Sequence, residues 1–419
     1  MIKRLLSWFG VWRRMFRAFQ NRNFRFYFTG QFISMLGSWL QQIALGWLIY
    51  EKTRSPFLLG AVSFLSNIPI LILGPFVGVW LDRVDRRRAL ETAQWLGLIQ
   101  ATFLAILAWT DWLTVPLVII MALLQGLANS IDMPSRQALI FDIAGKDDLP
   151  NAIALNSMLF NLARLVGPAT AGFFLAIAGA KVCFILNAIS YLPMVIALRL
   201  IHVSPQTALQ KTKDWWLELE EGAKYVMNSR VIRNLLFWIS CSSLLASPVD
   251  CLLPVFAKDI LKGDAHTMAM LSSSLGFGAL LGAILLSLRQ EMKAIGFHIA
   301  GAALGFGVGL FIYARSIWLP LSMLGLILVG ISMIIQYASC NILLQTITSS
   351  SRRGRVMSFY SMSVMGMLPI GALAAGSLAG HLGAVPVMGL VAAGYMWIAW
   401  NFYRLAPQIR HACEVAEEK

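Results

Sequence analysis

The chain has 419 residues, 58% hydrophobic and 13% charged, with a mean hydropathy of +0.70. Soluble domains are nearer a quarter charged, so a water-soluble globule, a coiled coil, collagen and disorder are all excluded. The 34 Lys and Arg against 20 Asp and Glu leave a net charge of +14, and the positions of those basic residues point away from nucleic acid.

Residues 1–23 alternate Leu5, Trp8, Trp12, Phe16 and Phe19 with Lys3, Arg4, Arg13, Arg14 and Arg17. That pattern predicts an amphipathic basic helix on the cytoplasmic leaflet, with a disordered basic tail as the alternative. No A-x-A site follows a short apolar core, so no cleavable signal is expected. Six apolar segments follow, each long enough for a helix crossing roughly 30 Å of hydrocarbon. They lie at about 26–50, 57–81, 89–110, 113–132, 152–178 and 181–201. A connection at 202–232 carries Trp215, Trp216, Leu219, Ala223, Val226 and Met227 on one helical face, which predicts a second amphipathic helix resting on the membrane. Six more segments lie at about 233–257, 267–288, 294–314, 317–345, 356–381 and 384–404, before a tail at 405–419. The period-2 alternation of an outer-membrane barrel is absent.

With the N-terminus inside, 27 of the 34 basic residues fall on the cytoplasmic side and six outside, and Arg164 lies within a span. By the positive-inside rule both termini are cytoplasmic. The rule also accounts for the basic charge without nucleic acid.

A shift of 204 residues overlays the two halves. Gly74, Gly78, Gly97, Gly126, Gly167, Gly172 and Gly179 fall on Gly278, Gly282, Gly301, Gly330, Gly371, Gly376 and Gly383, and Tyr191 falls on Tyr395. Six spans per repeat give the two copies the same orientation, as in transporters whose halves are related by an axis along the membrane normal. The expected fold is all-α and integral to the membrane: twelve helices in two pseudo-symmetric six-helix bundles, 24–201 and 233–404.

The turn after the second span reads GVWLDRVDRRR, residues 78–88. It resembles the G-x-x-x-D-R-x-G-R-R motif of the major facilitator superfamily through Gly78, Asp82, Arg83, Arg86 and Arg87, with Asp85 where glycine is usual. The resemblance implies a cytoplasmic gate, with Asp132 the candidate acid for the arginines; simple positive-inside anchoring is the other reading. RLVGPATAG in the fifth span resembles the superfamily's exporter-associated G-P-x-x-G-G motif through Gly167, Pro168 and Gly172, or is plain helix packing. NSIDMPSRQALI, NAIALNSMLFNLARLVGP and RGRVMSFYSM are similar to the branch that includes enterobactin-type siderophore exporters. The resemblance covers nearly all of residues 24–404.

It implies alternating access by a secondary transporter in the cell inner membrane, and efflux of a small amphipathic, anionic molecule such as a siderophore or drug. Import or flipping of a lipid-like substrate is the alternative. Cargo-facing candidates are Gln31, Ser34, Ser38, Gln41 and Gln42 in span 1, Asn161 and Arg164 in span 5, and Gln336, Tyr337 and Asn341 in span 10. Interhelical hydrogen bonding competes for each of them. Arg164, near mid-span, fits an anionic cargo or a backbone-capping role in a gate. Asp250 is the candidate for proton coupling as an antiporter, with a solvated residue near the end of span 7 as the other reading, and a monomer is expected.

The five cysteines form no CxxC pair, which argues against a disulfide framework or zinc site. There is no HExxH, P-loop or nucleophile elbow, so neither an enzyme nor a resident cofactor or metal is expected. A membrane sensor or scaffold would need a sizeable soluble domain, and no loop is long enough.

Overall fold

The computed structural model describes residues 17–81, 83–202, 215–288, 294–349 and 352–417. The expected amphipathic helix over the first residues lies outside these, as does Asp82. Eleven helices among the described residues are long and apolar enough to cross a membrane. One of them, Asn151–Leu200, has 50 residues, or about 75 Å at 1.5 Å per residue, more than two bilayer cores. It breaks at Gly179, whose φ of 78° an L side chain rarely adopts. That division is consistent with twelve spans.

In chain order the helices are α1 (Arg22–Thr53), α2 (Pro56–Leu81) and α3 (Arg86–Trp109), then α4, α5 and α6 (115–144, 146–178 and 180–200), divided at Gly145 and Gly179. The linker helix is Trp215–Asn228. Then come α7 (Arg230–Cys251, continuing through Leu253–Val255 and a π turn at Phe256–Ile260), α8 (Ala265–Ser287), α9 (Ile295–Arg315) and α10 (Leu319–Ile347). The last are α11 (Arg353–Met365 and Met367–Leu382) and α12 (Ala384–Glu417). Gly383, the repeat partner of Gly179, also has positive φ, at 87°. The same residue type therefore makes the same backbone turn before the last helix of each repeat.

The chain divides into two compact units: Met1–Leu45 with Pro69–Leu209, and Gly46–Ile68 with Gln210–Lys419. The division crosses α1 and α2, so residues 46–68 group with the C-terminal half. In unit 1 a core of Phe24, Tyr27, Leu90, Leu139, Ile143, Met194 and Leu198 fills the end that carries the motif arginines, here called the basic end. Ala18 is buried there, its N–H donating to Asn151 Oδ1 at 2.9 Å. The Phe19 ring meets Phe24 and Phe28 edge-on at 5.5 and 4.7 Å.

Unit 2 is built around Ile232, Leu235, Ile239, Ile299, Leu343, Val356, Phe402 and Ile409. Phe306 and Tyr395 stack at 3.8 Å, and the Tyr395 hydroxyl donates to Ser242 O at 2.6 Å. The linker helix packs partly on protein, while Met227 of its apolar face is 58% exposed. Val226 enters this core, Glu221 pairs with Arg355 at 2.5 Å, and Arg352 stands 4.8 Å over the Tyr225 ring.

Gly167 and its repeat partner Gly371 mark close approaches in the two units. A Cβ on Gly167 would lie 2.5 Å from the Trp39 ring, and one on Gly371 would lie 2.1 Å from Leu244 O. Helices α5 and α1, and their repeat partners α11 and α7, thus touch through equivalent glycines.

Candidate functional site

The motif turn is organised by Asp85. As N-cap of α3 it accepts from the backbone N–H of Arg87 and Arg88, at 2.9 and 3.3 Å. That satisfies orphan donors of the first turn and explains an aspartate where the superfamily has glycine. An N-cap signal, an acid before a helical run, was present in the sequence.

Arg86 Nη1 lies 2.9 Å from Asp142 Oδ1 at the end of α4. Arg87 donates to the carbonyls of Leu198 and Ile201 at 3.3 and 3.0 Å, satisfying the C-terminal end of α6. Arg83 is exposed in the turn. The expected acid, Asp132, binds elsewhere: Arg136 Nε is 2.6 Å away on its own helix, and Gln94 donates to it at 2.5 Å. Ten residues of helix separate Asp132 from Asp142, about 15 Å, and among the described residues the turn pairs with the latter. Nor does Gly78 provide a close approach, since a Cβ there would meet nothing within 4 Å among the described residues.

The polar face of α1 is split. Gln31, Ser34 and Gln41 are buried within unit 1, while Ser38 and Gln42 are exposed. The Gln41 amide nitrogen donates to Gln100 and Gln125, each at 3.3 Å, and its oxygen accepts from Asn187 at 2.7 Å. Gln125 donates in turn to Asn129 at 2.9 Å, and Ser34 to Gln94 at 3.4 Å. A polar network therefore ties α1 to α3, α4 and α6. It forms because Gly37 and Gly97 bring the helices close: a Cβ on Gly37 would lie 1.9 Å from Ser190 Oγ, and one on Gly97 would lie 2.6 Å from the Tyr191 ring.

On α5, Arg164 is half-buried, one turn before the buried Gly167 and Pro168; Gly172 is buried too. Asn161 sits one turn earlier on the same helix, described by its backbone only. In unit 2, Gln336 is buried and donates to Ser242 Oγ at 2.8 Å. The Tyr337 carbonyl accepts from the Tyr360 hydroxyl at 2.9 Å, and Asn341 accepts from Gln345 at 2.6 Å. Asp250 is exposed on α7.

Unit 2 also holds a polar corner that the sequence reading missed. Asp259, in the π turn, accepts from the Tyr50 hydroxyl and pairs with Arg54 at 2.5 Å. Lys258 pairs with Glu51 at 3.1 Å and stands 5.1 Å over the Trp47 ring. The signal was the acids Glu51 and Asp259 beside the basic residues at these span ends.

Helices of membrane-crossing length in two repeats, with buried polar networks inside the bundle, define a multi-pass membrane transport protein. Residues 14–416 match the family described as Transmembrane secretion effector, and the chain belongs to that family of major facilitator superfamily transporters. It is therefore a transporter and not an enzyme. It is 23% identical to the Staphyloferrin A transporter of Staphylococcus aureus, over 90% of this chain and 95% of that one. Identity to Macrolide efflux protein A of Streptococcus pyogenes is 22%, over 64% and 68% of the two chains. The crystal structure of the nucleoside transporter NupG superposes with a TM-score of 0.74 at 13% identity, covering 92% of this chain and 99% of that one. This last likeness shows the shared fold.

Proposed function

We propose that the chain is a proton-driven exporter of small amphipathic, anionic organic molecules, acting as a monomer in the inner membrane with both termini cytoplasmic. The carrying observation is the family match along residues 14–416, with relatives named for staphyloferrin A transport and macrolide efflux. The bundles 24–201 and 233–404 rock about the cargo and are joined by 202–232. The turn with Gly78, Asp82, Arg83, Arg86 and Arg87 gates the cytoplasmic side. Ser38 and Gln42, with Asn161, Arg164, Tyr337 and Asn341, face the cargo, and Arg164 reads its negative charge. Ser34, Gln41 and Gln336 serve that surface from behind, through the hydrogen bonds they make between helices, and Gln31 lies buried on the same face of α1.

Arg164 lies 18 residues from the start of α5 and 14 from its end, near the middle of a span where a charge costs at least about 3 kcal/mol unless paired or wet. Its repeat partner is Leu368, so the fold can be built without a charge there. Everted membrane vesicles given siderophores, macrolides and lysolipids test the reading. Accumulation of an amphiphilic anion in energised vesicles supports export; accumulation only in right-side-out vesicles would show import instead.

A further inference from the structure

Four helices bring a second polar cluster together toward the basic end of unit 1. On α4, Asp132 and Arg136 pair at 2.6 Å with side chains only 14% and 12% exposed. Gln94 of α3 donates to the other carboxylate oxygen at 2.5 Å, and Ser34 of α1 donates to Gln94. Tyr27 of α1 and Tyr191 of α6 lie within electrostatic reach of both charges. Gln31 stands on α1 between Tyr27 and Ser34, one turn from each, so it faces the same cluster. It is fully buried, and neither its oxygen nor its nitrogen has a hydrogen-bond partner among the described residues. The same holds for the hydroxyls of Tyr27 and Ser135.

Packing does not require this chemistry. The 204-residue shift carries Tyr27, Gln31, Asp132 and Arg136 onto Val231, Leu235, Gln336 and Cys340, and Leu235 and Cys340 are fully buried. The second repeat closes over the same helix positions without an ion pair. A buried polar group left unpaired costs roughly 1–3 kcal/mol, and a buried pair carries its own desolvation cost. Four such atoms beside a buried ion pair describe a site built for a polar occupant, and a water needs two to four partners of this kind.

We propose that Asp132 is a proton-binding site, and that Tyr27, Gln31 and Ser135 hold the water through which the proton reaches it. The proposal rests on the proton-driven reading above and places the proton on Asp132 in preference to Asp250. A proton passes from hydronium in that water to a carboxylate oxygen, and neutral water stays behind. Arg136 then stands in the bundle as a cation without its counter-charge. Among the described residues, the groups beside the Asp132–Arg136 pair are Gln94 on α3, Tyr27 and Gln31 on α1 and Tyr191 on α6. Protonation therefore changes the net charge of a buried site, which is what biases one conformation over another.

Infrared pH-difference spectra of the purified full-length protein, in phosphatidylethanolamine–phosphatidylglycerol liposomes, test this. The wild type should show a protonated-carboxyl C=O band that grows as pH falls. Asp132→Asn should remove it and Asp132→Glu should move its frequency, which keeps the test decisive if the asparagine variant does not accumulate. Gln31→Leu should move the band to higher frequency, because the protonated carboxyl loses a hydrogen-bonded water. A band unchanged in both Asp132 variants, or a frequency unmoved by Gln31→Leu, overturns the proposal. Transport of anilinonaphthalene sulfonate under an imposed pH gradient, in the same liposomes, separates the two readings. A band that follows Asp132 without gradient-driven transport keeps the proton site and removes the coupling. Gradient-driven transport with a band indifferent to Asp132 removes the site and keeps the coupling.

Discussion

Arg86 and Asp142 are joined at 2.9 Å, linking the start of α3 to the end of α4, with the Asp142 side chain only 7% exposed. Breaking the pair leaves a charge that its surroundings only partly solvate. Asp142→Asn is expected to cost about 1–3 kcal/mol, as for hydrogen bonds between charged groups. Thermal unfolding in detergent of Asp142→Asn, Arg86→Gln and the double variant checks it. The double variant should be no less stable than Asp142→Asn alone; additive losses would deny the coupling.

Gly37 is a second point of dependence. A methyl group there collides with Ser190 and Asn187, the same Asn187 that bonds Gln41. Gly37→Ala should lower stability by about 1–3 kcal/mol through overpacking. Gly301→Ala, where a Cβ meets nothing within 4 Å among the described residues, should be neutral or gain up to about 1 kcal/mol of helix propensity. Melting temperatures of the two variants test the contrast, and equal losses would contradict it.

Much of this fold was legible in the sequence because hydropathy and charge report on lipid and on membrane sides directly. The expected boundary between 152–178 and 181–201 falls where Gly179 breaks the helix. Pairing partners were not legible. Asp132 and Asp142 are both acids on α4, and only the register of α3 against α4 selects between them. Amphipathic faces were equally ambiguous. The apolar face of the linker is divided: Val226 enters the unit 2 core, while Met227 stays exposed. The polar face of α1 predicts polar surroundings, and for Gln41 these are Gln100, Gln125 and Asn187 in the same bundle.

Asp264 closes a capping box at the start of α8, accepting from the Thr267 N–H at 3.0 Å while Thr267 Oγ1 accepts from the Asp264 N–H at 3.3 Å. The Thr267 amide holds its carboxyl below the usual carboxylate range. A depressed folded pKa contributes stability above the unfolded value and loses it as pH falls through the folded one. Asp264→Ala should cost about 1 kcal/mol at neutral pH. The difference in melting temperature from wild type should shrink below about pH 4, near the unfolded carboxylate pKa. A difference that grew on acidification would contradict the cap.

Arg164 gives a test of cargo charge. Arg164→Lys keeps the charge but loses the planar fork of donors, so anion efflux should fall partially. Arg164→Gln removes the charge, and a lost charge-assisted bond of roughly 1.5–3 kcal/mol means about a tenfold to hundredfold loss for anions. Neutral cargo should be affected much less. Equal losses for both cargo types, at normal protein level, would place Arg164 in the gate.

The most direct measurement is transport by the purified protein in liposomes with an imposed pH gradient. An acidic lumen should drive an amphiphilic anion inward against its gradient while protons leave, and collapsing the gradient with nigericin should abolish the accumulation. Accumulation driven by an alkaline lumen, or none under either gradient, would contradict proton-driven export.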